Sequence, residues 1–222
     1  MSIDTMIGVD LAKSVFQIHG ASMNGEILFQ RKLSRQAFSV FMAQHSAAVV
    51  VMEACGSAHY WARLLSGFGH EVRLIAPRYV RPFVKRQKND AADAEAIVVA
   101  AQRPEMRFVE PKSVAQQSAA ILYRSRQRLV RQRTETVNAL RAALYEFGHI
   151  VPQGIQHVSR IGAILEAPNS DLPTLMREEC LAMLDQVAAL MVLWRATAFA
   201  RSRSAEADAA KPASSNRATS CQ

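Results

Sequence analysis

The chain has 222 residues, of which half are hydrophobic, and its 27 lysines and arginines exceed its 19 acidic residues to give a net charge of +8. The longest strongly apolar run, residues 187–194, is far shorter than the roughly 20 residues that span a bilayer, and no basic segment precedes an apolar run at the start, so we expect neither a membrane protein nor a secretory leader. The three widely separated cysteines exclude a disulfide framework and a four-thiolate zinc site, and they favour a cytoplasmic location.

The excess positive charge is concentrated in the middle of the chain. Residues 1–70, 71–150 and 151–222 carry net charges of +1, +7 and 0. Arginine accounts for 21 of the 27 basic residues, and its planar guanidinium group binds phosphate in two places at once. This distribution predicts a polyanionic partner at one face. The alternative is that arginine only reflects the overall composition, which would not cluster the excess.

The first hundred residues predict an α/β domain. Short apolar or β-branched runs, most of them bounded by turn residues, predict five strands, at residues 6–9, 14–19, 26–33, 47–52 and 72–76. Apolar residues at helical spacing predict helices over residues 36–45 and 57–68. Three strands in a meander followed by two crossover units predict a mixed sheet flanked by helices.

The remainder of the chain predicts helices. Neither glycine nor proline interrupts residues 114–147, which predicts one long helix or a helical pair. One face of this segment is apolar, with Leu122, Leu129, Val137, Leu140, Leu144 and Phe147. A further helix is expected over residues 175–200, and the lack of any large apolar residue after it predicts a disordered tail over residues 201–222. We therefore expect domains at 1–108 and 109–200, followed by the tail.

Two carboxylates stand at the ends of predicted strands. Asp10 follows the first strand and Glu53 follows the fourth, each among apolar neighbours. A carboxylate in such a place needs a hydrogen bond, an ion pair or a cation, because burying it alone costs several kcal/mol. If the two strands are parallel neighbours, both carboxylates emerge at the edge of the sheet where open α/β folds bind ligands. A capping or salt-bridge role is the alternative for either acid alone.

A second acidic element follows a basic segment. Asp90 and Asp93 stand three residues apart, so on a helix they share one face, although acidic residues in a first helical turn also suit the helix dipole without any other function. The basic residues before them are interleaved with Tyr79 and Phe83, which predicts a phosphate-binding strip beside an acidic pocket. The strip consists of Arg78, Arg81, Lys85, Arg86 and Lys88.

The long predicted helix carries a second set of arginines. Arg124, Arg128 and Arg131 lie opposite its apolar face, whereas Arg126 and Arg133 interrupt that face. A plain core helix would avoid such an interruption, so this stretch is expected to lie against a partner helix or nucleic acid. A solvated basic face on a bundle helix is the alternative. Together with Lys13, these five arginines and the basic strip form the predicted nucleic-acid-binding residues.

Carboxylates that converge from two strand ends and a helix suit a hard cation, Mg²⁺ or Mn²⁺, better than zinc. Two such ions about 4 Å apart can activate an attacking oxygen and stabilise a leaving one in phosphodiester chemistry. Cys55 and His59, four residues apart near Glu53, offer a zinc alternative, but no second ligand pair is spaced to complete it.

Three segments together resemble the motifs of the DEDD transposases, an insertion-sequence group related to the pilin-gene invertase. They are residues 8–13, Gly-Val-Asp-Leu-Ala-Lys; residues 52–54, Met-Glu-Ala; and residues 88–97, Lys-Asn-Asp-Ala-Ala-Asp-Ala-Glu-Ala-Ile. The resemblance runs from about residue 5 to about 190. It implies a RuvC-like, ribonuclease-H-type fold in which Asp10, Glu53, Asp90 and Asp93 bind the divalent metal. It also implies transposition and recombination of DNA, with an element-encoded RNA as guide.

Members of this group usually continue into a second domain that carries a nucleophilic serine. Here the sequence after Val192 loses the expected helical continuation and becomes rich in Ala, Ser and Arg, so we expect a shortened copy in which no serine takes that role. The first hypothesis is thus a metal-dependent transposase with an intact N-terminal half. The second is an inactive remnant that binds nucleic acid and dimerises with a full-length relative through residues 114–147, the segment through which we also expect a homo-oligomer. The third is an ATPase of the actin and sugar-kinase type, because residues 8–13 also resemble a first phosphate loop.

Overall fold

A computed structural model describes residues 3–84, 90–168 and 171–209, with the side chains of these residues except 90, 91 and 198–209. The chain forms two compact units, Met1–Gln117 and Ser118–Gln222. The predicted basic residues Lys85, Arg86 and Lys88 lie outside the described residues, as do Cys221 and the last part of the predicted tail.

Unit 1 is built on a six-stranded sheet. Its strands are β1 (Thr5–Leu11), β2 (Val15–Ser22), β3 (Ile27–Ser34), β4 (Val49–Glu53), β5 (Glu71–Ile75) and β6 (Phe108–Val109). They lie in the order β3-β2-β1-β4-β5-β6, in which β1 pairs parallel with β4, and β4 parallel with β5. The pairs β1–β2, β2–β3 and β5–β6 are antiparallel. The predicted fold class, a mixed sheet flanked by helices, is confirmed.

Helices cover both faces of this sheet because its inner strands are apolar on both sides. Helices α1 (Arg35–Gln44) and α2 (Ala58–Gly67) pack against one face, and the Ser34 hydroxyl caps α1 by accepting the Ala37 N–H at 3.2 Å. In this layer Phe16, Phe38 and Trp61 meet in pairs at centroid distances of 5.1 Å, with their rings edge to face.

The other face is covered by α4 (Asp90–Ala101), which crosses β1, β2 and β4. Its buried residues are mostly small, among them Ala96 and Ala100, and they pack against Met6, Val49 and Val51. Between β5 and α4 lie a single helical turn, α3 (Pro77–Val80), and the 3-10 turn Arg81–Phe83. The sequence did not predict these two turns or the two-residue strand β6, since such short elements have no periodicity to detect.

Unit 2 is helical. The long predicted segment is one helix, α5 (Val114–Tyr145), and it is followed by the 3-10 turn Ile155–His157, by α6 (Val158–Glu166) and by α7 (Thr174–Ala209). The core joins Leu140 and Leu144 of α5 to Ile161 of α6 and Val187 of α7. Most of the predicted apolar arc of α5 is therefore buried, whereas the residues before Leu129 contribute none of their side chains to this core.

Helix α7 departs from the sequence prediction in two ways. It continues to Ala209, nine residues past its expected end, and the alanines and arginines beyond position 200 are residues of high helix propensity. Moreover, its segment Thr174–Thr197 is long and apolar enough to cross a membrane by length and composition, which counting only large apolar residues overlooked. One such helix does not by itself establish a membrane span; 17% of the segment is buried in the structure, and Cys180 and Val187 of α7 lie in the core of unit 2.

Candidate active site

Asp10 and Glu53 lie at the same edge of the sheet. Strands β1 and β4 are parallel neighbours with Val9 aligned to Met52, so the next residue of each strand is one of the two acids. Alternation along the strands places both side chains on the face that α4 covers, because Met6 and Val51 point that way. Both acids are half-buried. The strand-end prediction thus holds for their positions in the sheet.

Asp93 approaches this edge from α4. It lies in the first turn of that helix and is half-buried. The backbone explains how the helix comes so close: a β-carbon at Gly8 would lie against the carbonyl oxygen of Ala94 and 2.6 Å from Cγ2 of Val98. Only glycine fits between β1 and α4 here. Because Gly8 precedes Asp10 by two residues and Ala94 follows Asp93, this close approach brings the two aspartates to one place.

The pKa of Glu53 is affected by the other two acids. Burial raises the pKa of Glu53 above its ordinary value, and the negative charges of Asp10 and Asp93 raise it further. The Arg81 guanidinium acts in the opposite direction and lowers it. The negative charges of two carboxylates from two other elements therefore act on Glu53, and the positive charge of one arginine opposes them.

Cys55 shares this environment. Burial raises the pKa of its thiol, as do the charges of Glu53 and Asp10. His59, the second residue of the predicted zinc alternative, does not support zinc binding, because its Nδ1 accepts the backbone N–H of Lys112 at 3.1 Å. That hydrogen bond ties α2 to the segment before α5.

Carboxylate oxygens are the donors that Mg²⁺ and Mn²⁺ prefer, so the acids of this edge suit such an ion by their chemistry. The described side chains do not form a preassembled cluster of three or more metal-ligating groups. The side chain of the fourth predicted acid, Asp90, lies outside the described residues, although its backbone begins α4, one helical turn before Asp93.

Two predicted basic residues of the strip are described, Arg78 and Arg81, and both are exposed. Arg81 is the one whose charge reaches Glu53. Arg78 lies over the ring of Tyr79, with its guanidinium carbon 4.7 Å from the ring centroid. Lys13 is exposed just after β1.

The predicted arginines of α5 divide into two groups in the structure. Arg124, Arg128 and Arg131 are exposed, and Arg131 pairs with Glu135 at 2.9 Å. Arg126 and Arg133 are half-buried. The Arg126 guanidinium lies over the Trp194 ring of α7 at 5.5 Å, so the interruption of the apolar face reflects packing within unit 2.

The sequence predicted Asp10, Glu53 and Asp93 as acids of the site, and it placed Arg81 in a basic strip beside an acidic pocket. It did not single out Gly8 as the point at which α4 comes close to β1. A glycine inside a buried strand is a signal of close backbone approach, and position 8 carries that signal. The particular interaction of Arg81 with Glu53 depends on how the turns after β5 fold, which the sequence pattern does not show.

Comparison with known proteins identifies the family that the sequence motifs resemble. The family model of the DEDD transposases, described as a transposase, matches residues 7–148. A protein of Sinorhizobium fredii named a transposase is 47% identical over 78% of this chain and 44% of its own length. The transposase for insertion sequence element IS1328 of Yersinia enterocolitica is 44% identical over 73% of this chain and 48% of its own. The transposase for IS1111A of Coxiella burnetii is 42% identical over 67% and 41%. The chain thus spans less than half the length of these relatives.

Among solved structures, RuvC of Thermus thermophilus in complex with a Holliday junction substrate matches with a TM-score of 0.36 at 10% identity, covering 47% of this chain and 99% of that chain.

Proposed function

The chain belongs to the DEDD transposase family, and on this premise we propose that unit 1 is the catalytic domain of a transposase that cleaves and joins DNA with the help of a divalent metal ion. The observation that carries the proposal is the parallel pairing of β1 with β4, which ends in Asp10 and Glu53 at one edge of the sheet, with Asp93 in the first turn of α4 close enough for its charge to act on Glu53. An acid that only capped a helix or formed a surface ion pair would not gather two further carboxylates.

In this proposal Asp10, Glu53 and Asp93 hold Mg²⁺ or Mn²⁺, and Asp90 joins them as the family motif implies. A bound divalent ion would supply Lewis-acid stabilisation of phosphate oxygens. The carboxylates orient the ion at the sheet edge, and their half-buried position keeps their charges from being screened fully by water. Arg81 offers a positive charge beside the acids, suited to a phosphate of the nucleic acid backbone.

The partner in this proposal is DNA, with a guide RNA as a second nucleic acid. The support is the net charge of +7 over residues 71–150, which includes Arg81 beside the acids and the exposed arginines of α5. Lys13, which is exposed three residues after Asp10, adds a positive charge near the first acid in the sequence. The proposed catalytic and helical domains stay at 1–108 and 109–200; this boundary falls within β6, whereas the compact units of the structure divide after Gln117.

Metal binding tests the proposal without requiring full transposition. Thermal unfolding of the chain is measured with and without Mn²⁺ or Mg²⁺, and we expect the metal to raise the melting temperature because it binds the folded state. The double variant Asp10→Asn with Asp93→Asn should lose this increase. Glu26→Gln, which removes an exposed carboxylate elsewhere in unit 1, should keep it. A melting temperature that does not respond to either metal would refute the metal-dependent function.

A second candidate is a nucleic-acid-binding protein without catalysis that forms a homo-oligomer through residues 114–147. Ile121 and Tyr123 of α5 are more than half exposed, beside the exposed arginines, and this observation favours it. Binding to DNA should then fall steeply with salt and survive the double aspartate variant. Metal-dependent cleavage of DNA that the same variant abolishes would exclude this candidate.

A further inference from the structure

A pocket of about 300 Å³ lies in unit 1 between the turns that follow β5 and the loop that follows α4. It is lined by Tyr79, Pro82, Phe83, Arg103, Glu105, Met106 and Arg107. None of these residues belongs to the acidic edge. The volume is at the small end of the range for ligand sites in proteins, which suits a single flat ring system.

The aromatic side chains of the pocket are held in place and accompanied by cations. Tyr79 and Phe83 are half-buried against the core beneath α4. The Arg103 guanidinium carbon lies 5.6 Å from the centroid of Phe83. Arg78 covers Tyr79 and donates an Nη2–H hydrogen bond to its hydroxyl at 3.0 Å. Aromatic faces flanked by arginines are the surfaces on which proteins stack the bases of single strands.

Charge around the pocket favours the same ligand. Among the described lining residues, Arg103 and Arg107 are exposed against one carboxylate, that of Glu105, and the exposed Arg78 and Arg81 are next to lining residues in the sequence. This excess of positive charge attracts the phosphates that accompany a base. The Glu105 carboxylate is an acceptor for an exocyclic amino group, as glutamate is for cytosine.

We propose that this pocket binds one unpaired nucleobase of a single-stranded segment of nucleic acid. The inference rests on the proposed function, because the pocket would hold the nucleic acid strand on which the proposed catalytic domain acts. Arg81 directly precedes Pro82 of the pocket, and its charge acts on Glu53 of the acidic edge. A strand whose base enters the pocket therefore carries its phosphates past Arg81 toward the acids.

Equilibrium binding of short single strands tests the pocket. Fluorescently labelled 12-mers of one sequence, as DNA and as RNA, are titrated with the full chain, and a second pair carries 2-aminopurine, whose fluorescence falls when it stacks on an aromatic ring. Phe83→Leu keeps the apolar volume but removes the aromatic face, so we expect about tenfold weaker binding and loss of the 2-aminopurine quenching. Arg103→Gln, an exposed site with no part in the core, should also weaken binding.

Matched controls separate the pocket from general effects. Phe68→Leu removes a partly exposed aromatic residue at the end of α2, and Arg160→Gln removes an exposed arginine of unit 2, so both should bind as the unchanged chain does. A loss confined to the DNA 12-mer or to the RNA 12-mer identifies the strand that uses the pocket. Unchanged affinity and quenching in both Phe83→Leu and Arg103→Gln would overturn the inference. The metal response of the melting temperature stays intact in that case, so the proposed function would survive.

Discussion

The pKa of Glu53 links the charges of the candidate site to the stability of the fold. Its carboxyl is half-buried and faces two other carboxylates, while one arginine opposes their effect. The raised pKa means that the folded chain holds a proton on Glu53 more readily than the unfolded chain does. Ionisation of this residue therefore works against folding, and a bound cation would relieve that repulsion.

The first prediction concerns the pH dependence of stability. Below the ordinary glutamate value of 4.5 the residue is protonated in both states, and its contribution to stability is fully present. That contribution is lost as pH rises from 4.5 through the raised pKa, because the folded state then binds more protons than the unfolded state. Glu53→Gln should remove this loss and melt at a higher temperature than the unchanged chain at pH 7 without metal.

The measurement is thermal unfolding at a series of pH values in the presence of a chelator. Glu26→Gln gives the effect of removing one exposed negative charge. If Glu53→Gln melted at a lower temperature than the unchanged chain at neutral pH, the repulsion among the three acids would be refuted.

The sequence could locate the acids at strand ends, because an isolated polar residue after an apolar run is visible in the residue pattern. It could not reveal that Glu53 and Arg81 interact, since Arg81 lies in a short turn without periodicity. For the arginines that interrupt the apolar face of α5, the sequence left a partner helix and nucleic acid as alternatives. Arg126 lies over Trp194 of α7, and the sequence pattern alone does not show which residue of another helix such an arginine meets.

At the scale of elements, the packing of α4 on β1 decides where Asp93 lies. The contact is so close at Gly8 that a β-carbon would meet the backbone of the helix at Ala94. A backbone carbonyl cannot rotate away as a flexible side chain can, so any larger residue displaces the whole helix.

The second prediction follows from this contact. Gly8→Ala should lower the free energy of unfolding by about 1–3 kcal/mol, the usual cost of overpacking, and should weaken the stabilisation by Mn²⁺ because Asp93 moves with α4. Thermal and urea unfolding with and without the metal measure both effects. Gly67→Ala is the matched control, since no atom lies within 4 Å of a β-carbon there. Equal stability of the two variants would contradict the close approach.

The strands and helices of unit 1 were mostly predictable because each has a clear apolar pattern of its own. Strand β6 was not, because its two residues become a strand only by pairing with Leu74 and Ile75 of β5. The end of α7 shows the opposite limit. A composition without large apolar residues suggests disorder, yet a helix that is already formed adds further residues at little cost, and residues 201–209 include the good helix formers Ala, Arg and Glu.

At the scale of the whole molecule, the two units have separate apolar cores that share no residue. Leu140 lies at the centre of the core of unit 2 and is fully buried. The third prediction is that Leu140→Ala lowers the stability of unit 2 by about 2–5 kcal/mol, because it leaves a cavity between α5, α6 and α7.

Hydrogen exchange resolved by segment measures this effect, and we expect faster exchange in α6 and α7. Ile121→Ala, on the same helix but 56% exposed, should leave exchange in α6 and α7 unchanged. Unaltered exchange in Leu140→Ala would mean that the described core does not stabilise the unit.

The uneven charge of the chain leads to the last prediction. If α5 contacts a nucleic acid backbone, each arginine that neutralises a phosphate adds about 0.9 to the slope of log affinity against log salt concentration for duplex DNA. Arg124 and Arg128 are exposed, whereas Arg131 is held by Glu135, so the first two are the better candidates. Arg124→Gln with Arg128→Gln should reduce the slope by about 2 and weaken binding similarly for all sequences. Arg160→Gln with Arg195→Gln changes the net charge equally at exposed sites outside residues 71–150. The binding of both double variants to a labelled duplex is measured from 50 to 200 mM salt. If Arg124 and Arg128 contact the DNA backbone, their variant has a smaller slope than the control variant. If only net charge matters, the two slopes are equal.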